Sequence, residues 1–284
     1  MNERFETATP EFTYNRFADL FYYLLAHIPL DNAADEYDPD YIKEMSEALG
    51  TSPEIPGALA EYYQRNFDHL MIISFMPLTT GSIDECRNAL ASCGMLTAED
   101  MATFVLPIME ICRQSSVPFY PWWDRYHAET RKTAEPVYSR FRELTVRFSR
   151  FFDRLETQIR VIFSYSLRKN GRAFMRPDIQ TVYLPYPEKD SDILPCFLQF
   201  LHECTHRITD PLITQPILMA DNSHDLSEYQ VLCFDEYMIR DLCPDLSDKY
   251  RTWIGADMLD LSHEKLGEAG EKQINECMRR FINQ

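Results

Sequence analysis

The pentapeptide His202-Glu203-Cys204-Thr205-His206 constrains this chain more than any other stretch, because its residues form a chemical group only if the segment is a helix. At roughly 100° per residue, positions four apart lie about 40° apart on the helix surface, so both imidazoles share one face. Glu203 then stands beside the open position of any ion they hold. The flanking residues favour that helix: Ile193, Leu194, Phe197, Leu198, Leu201 and Ile208 recur at helical spacing, and Asp190, Ser191 and Asp192 offer capping chemistry at its start. Pro195 falls early, where a lost donor costs little, and Pro211 ends the run, predicting a helix over 192–208.

Around it the chain changes texture. From Phe12 to about Leu155, apolar residues recur every three or four positions in Phe17–Leu25, Tyr62–Ile73, Ile83–Leu90 and Met101–Ile111, predicting a series of helices. Stretches rich in Pro, Gly, Ser and Asp at 29–39, 50–56, 77–82 and 115–121 are expected to punctuate them. A long helix is expected over 134–159, with Phe141, Leu144, Phe148, Phe151, Phe152 and Leu155 on one side and a solvated face of arginines on the other. Val161–Leu167 and Thr181–Tyr186 are β-branched and aromatic and predict two strands, with Gly171 at the turn between them. Pro185 confines the second to a strand end or an edge, and an edge beside the motif would offer free backbone groups to an extended peptide. Further helices are expected over 226–242, 248–261 and 264–282. The resulting fold class is α+β and predominantly helical, with a helical region over 1–159 and a catalytic region with a small sheet over 160–284.

Composition excludes several roles. The formal net charge of −17, from 28 basic and 45 acidic residues, argues against nucleic acid and against an anionic membrane surface. A local basic patch such as Arg140 to Arg172 could still attract an acidic partner. No apolar run reaches the length of a membrane span, and the acidic start lacks the form of a signal peptide. The 8 cysteines follow no CxxC spacing and read as reduced core thiols, which points to the cytoplasm.

Two histidines hold zinc poorly, so a catalytic site needs a third protein ligand. The metzincin continuation fails, since Thr209 and Leu212 occupy the positions where it requires Gly and His or Asp. The next helical stretch offers Glu228 and Glu236. HExxH, Asp210-Pro211-Leu212 and Glu236-Tyr237-Met238-Ile239-Arg240 together resemble the gluzincin metallopeptidases, most closely a bacterial branch carrying these three elements. The resemblance covers about 183–242. It implies a zincin-like catalytic half, a Zn²⁺ ion on His202, His206 and Glu236, Glu203 as general base, and a peptide or protein substrate. It departs at Arg240, where thermolysin-like members carry an Asp that orients a zinc-binding imidazole; Asp235 or Asp241 could take that role. Tyr229, Tyr237 and His224 are candidates for an oxyanion donor. Cys204 and the aromatic cluster 119–126 read as packing. The rival readings are a degenerate zincin that binds or regulates without cutting, and a helical interaction protein whose motif is accidental.

Overall fold

The computed structural model describes residues 10–29, 36–50, 52–168, 170–212 and 223–283. It is predominantly helical, with one four-stranded mixed sheet. The strands are β1 (Glu11–Tyr14), β2 (Gln158–Ser164), β3 (Arg172–Met175) and β4 (Ile179–Pro185). The helices before the sheet's main part are α1 (Arg16–Ala26), α2 (Pro39–Leu49), α3 (Gly57–Arg65), α4 (Ile83–Ser92), α5 (Leu106–Thr130) and α6 (Glu135–Arg147). After it come α7 (Asp190–Thr209), α8 (Ser223–Leu242), α9 (Ser247–Ile254) and α10 (Ala256–Asn283), the last broken at Gly267.

The sheet order is β1-β2-β4-β3, with β1, β2 and β4 parallel and β3 antiparallel to β4. Successive side chains on a strand point to opposite faces, and here the two faces serve two cores. Val161, Phe163, Val182 and Leu184 pack with Phe197, Phe200, Leu201 and Cys204 of α7 and with residues of α8 and α10. Ile162 and Tyr183 pack instead against α1, α5 and the short helices between them. The expected apolar side of the 134–159 stretch is buried, all six residues of it, but in the core shared with α7. The two cores therefore meet at the sheet.

Several expected elements differ. The segment beginning at Phe12 starts as β1, which pairs with β2, and only then becomes helical behind the Asn15 cap, whose side chain accepts from the Phe17 and Ala18 amides. The long helix over 134–159 is α6 plus a short turn at Ser149–Phe152, and β2 begins at Gln158. Pro118 and Pro121 do not break the chain, because α5 runs through both with Phe119, Trp122 and Trp123 buried. α7 starts at Asp190 without a side-chain cap.

The strand carrying Pro185 is not an edge. β4 lies between β2 and β3, and Pro185 is its last residue, where the missing N–H costs the ladder little. The edge next to α7 is β3, a strand that Gly171 leads into rather than a turn.

Candidate metal centre

α7 is held against the sheet by its apolar stripe and by a bond from Gln180 on β4, whose Nε2 donates to the Glu203 carbonyl at 2.8 Å. Its other face carries His202, Glu203 and His206 into a cleft of about 460 Å³. Gly171, Arg172 and Met175 of the β3 edge line one side. Tyr63, Phe67 and Phe75 from the first half of the chain also line it.

The third group in reach is Glu228. His202 Nε2 lies 3.4 Å from Glu228 Oε2 and His206 Nε2 lies 3.5 Å from Glu228 Oε1. Among the described residues, His202, His206 and Glu228 form the one group of donor atoms close enough to share an ion. Glu236, expected as the third ligand, is not brought there. Its Oε2 instead lies 2.8 Å from His263 Nε2, and its Oε1 faces Arg251. The helix geometry gives the reason: eight residues along α8 rotate a side chain by about 80° and carry it about 12 Å along the axis. A seven-residue step returns to nearly the same face, and Asp235 accordingly points to His202 from two turns further on.

Both imidazoles are oriented from behind. His202 Nδ1 lies 3.3 Å from Asp235 Oδ2, and neither atom has another partner among the described residues. Asp235 is fully buried, and its other oxygen accepts from Thr205 Oγ1 at 2.6 Å. His206 Nδ1 lies 3.0 Å from Asp210 Oδ1, which also accepts from Ser227 Oγ at 2.8 Å. Each ring thus has a carboxylate facing its Nδ1, hydrogen-bonded at His206, and an Nε2 facing Glu228, the arrangement that fixes tautomer and basicity in metal-binding histidines. Asp241, the alternative to Asp235, is exposed.

The carboxylates around the two imidazoles draw protons onto them. Burial works against protonation of His206, yet Asp210 and Glu228 outweigh it and lift its pKa to about 9. Burial likewise opposes the charged form of His202, and Asp235 and Glu228 drive its pKa well above the ordinary value. Burial would raise Glu228, but the two histidines hold it far below the usual carboxylate range. The Nε2-to-carboxylate gaps are long for charged hydrogen bonds. One donor atom from each of the three residues lies within 4.8 Å of the others, close enough for all three to reach a single ion. The donors therefore fit a divalent ion in place of the shared protons.

Glu203 is buried beside them and lines the same cleft. Burial raises its carboxyl pKa against the pull of both histidines and of Gln199, whose Nε2 donates to Oε1 at 2.8 Å. Gly171 makes room for it: a Cβ at that position would fall 2.9 Å from Gln199 Cγ and 3.1 Å from Glu203 Oε1.

Of the expected oxyanion donors, Tyr237 is committed elsewhere, donating to Glu271 at 3.2 Å. Tyr229 is not among the residues lining the cleft. His224 lies outside the residues whose side chains are described. Sequence reasoning did not assign a role to Asp210, Gln199, Ser227 or Thr205. The first two had a readable signal, since each stands four residues from the group it orients and so on the same helix face.

Comparison with protein-family models, with curated proteins and with solved structures finds no match.

Proposed function

We propose that this chain is a zinc-dependent peptidase, with the ion on His202, His206 and Glu228 and with Glu203 as the general base. The observation that carries this reading is the convergence of two imidazoles and one carboxylate within reach of a single ion, beside a second, buried carboxylate in an open cleft. When bound, zinc would polarise a scissile carbonyl and ease ionisation of water. Glu203 takes the proton from the attacking water and returns it to the leaving amine. Gln199 anchors the Glu203 carboxylate, and Asp210 and Asp235 at the Nδ1 atoms favour the tautomer that leaves each Nε2 lone pair for the ion.

The β3 edge supports a peptide as substrate, since an added strand there would lie along α7 at the motif. A small sheet whose antiparallel edge strand flanks an HExxH helix supports a zincin-like catalytic half. All eight cysteines are unbridged, which suits a reducing compartment such as the cytoplasm. Among the described residues, no helix is long and apolar enough to cross a membrane.

Metal content and turnover test the assignment separately. The purified chain is expected to hold near one equivalent of zinc, lost in Glu228→Ala and kept in Glu236→Ala. A peptide library should be cleaved by the zinc-loaded chain, with cleavage abolished by a chelator and restored by zinc. Glu203→Gln should keep zinc and lose turnover by at least about a hundredfold, the usual scale of a general base. Zinc retained in Glu228→Ala would overturn the ligand set. Stoichiometric zinc with no cleavage would leave a peptide-binding zincin in place of an enzyme.

A further inference from the structure

Arg172 opens β3 and lines the metal cleft, yet its side chain is only 9% exposed. Its guanidinium carbon lies 5.1 Å from the Tyr22 ring centre and 5.9 Å from that of Phe75, so aromatic faces hold it in place. Nη2 donates to Glu36 at 2.9 Å. Nη1 is buried and has no hydrogen-bond partner among the described residues. A desolvated guanidinium nitrogen without an acceptor is costly, and a planar fork with one edge committed to a carboxylate can receive a second carboxylate on the other. The orphaned donor therefore points to a ligand with a carboxylate.

Its place along the cleft says which carboxylate. Gly171 sits against Glu203, and Arg207, just past the motif, donates to the carbonyls of Arg176 and Pro177 beyond the far end of β3. β3 thus runs in the same direction as α7, with His202 to His206 alongside it. A peptide added to this edge in the antiparallel sense, the better-bonded arrangement, travels with its C-terminal end toward Arg172.

We infer that Arg172 is a specificity-determining residue that receives the terminal α-carboxylate of the substrate, so that the site removes a short C-terminal piece from peptides with a free C-terminus. This rests on the peptidase reading for the cleavage, but the recognition can be measured without turnover.

The test uses the full chain carrying Glu203→Gln, loaded with zinc, and a pool of N-acetylated hexapeptides prepared as free acids and as C-terminal amides. Free acids should bind about ten- to a hundredfold more tightly than the matching amides, the scale of one charge-assisted bond pair. That ratio should collapse to near one in Arg172→Gln and be partly kept in Arg172→Lys, which retains the charge without the fork. Glu36→Gln, which keeps an acceptor for Nη2 but removes the competing negative charge, should widen the ratio and serves if the Arg172 variants do not fold. A ratio of one in the parent, or one unmoved by Arg172→Gln or by Glu36→Gln, overturns the inference. Amides ending in Glu that bind as well as free acids would assign the pocket to an acidic side chain and overturn the terminal-carboxylate reading. A chain that cleaves nothing refutes the peptidase reading and leaves this ratio to be read.

Discussion

Glu228 and Glu236 differ by a rotation of about 80° on one helix, and that rotation decides which carboxylate meets the two imidazoles. His202, Glu203 and His206 were legible because their geometry is set within five residues of one helix. The third group was not, because it depends on how α8 is turned as it packs on α7. The Glu-Tyr-x-x-Arg element pointed to Glu236, whose surroundings are instead His263, Arg251 and, through His263, Glu271. Asp235 was readable in kind, as a carboxylate expected behind a ligating imidazole. Asp235→Asn and Asp210→Asn should each lower zinc affinity by about 10–100-fold, measured by competition with a chromogenic chelator. Unchanged affinity in both would remove the carboxylates from the centre. Gly171→Ala tests the approach of the β3 backbone to the base. The added methyl presses on Glu203 and Gln199 and should lower kcat severalfold or more with zinc content unchanged. A fall in zinc content with kcat per bound zinc preserved would show that Gly171 supports the ion and not the base.

At the scale of elements, the sequence carried helical content well and strand adjacency poorly. Both long strands lie close to where β-branched and aromatic residues predicted them, but they pair in parallel, and the short β3 comes between them in sequence and outside them in space. Four residues beginning with a buried arginine leave no period-2 signal to read. The same limit applies to α5, where two prolines argue locally for a loop and three buried aromatic side chains override them. The tie that matters to the site is between α7 and α8: Thr205 Oγ1 to Asp235 Oδ1, with Thr205 and Asp235 both fully buried. Thr205→Val keeps the shape and removes the donor, leaving Asp235 short of a partner. It should cost about 1–3 kcal/mol in urea unfolding, with no comparable loss in a Thr205→Ser variant that keeps the hydroxyl. Equal losses in the two variants would assign the effect to packing.

Among the described residues, the two cores are joined through the sheet, and a carboxyl group is buried at the join. Asp19 on α1 is fully buried and accepts from Trp123 Nε1 of α5 and from Ser164 Oγ at the end of β2. Burial raises its pKa from 3.8 to about 6, although those two donors pull it down. In the unfolded chain the group ionises at its ordinary value, so on folding it favours the protonated form. Its contribution to stability is then complete below about pH 4, falls as pH rises toward 6, and levels off above, a change of about 3 kcal/mol. Asp19→Asn removes the titration while keeping the size. Subtracting the variant's unfolding free energy from that of the parent at each pH cancels the contributions of carboxylates that titrate alike in both. That difference should move by about 3 kcal/mol in the variant's favour between pH 4 and pH 7, with the steepest change between pH 4 and 6. A flat difference across this range would mean that Asp19 keeps an ordinary pKa at the join, and that its bonds to Ser164 and Trp123 offset its burial in full.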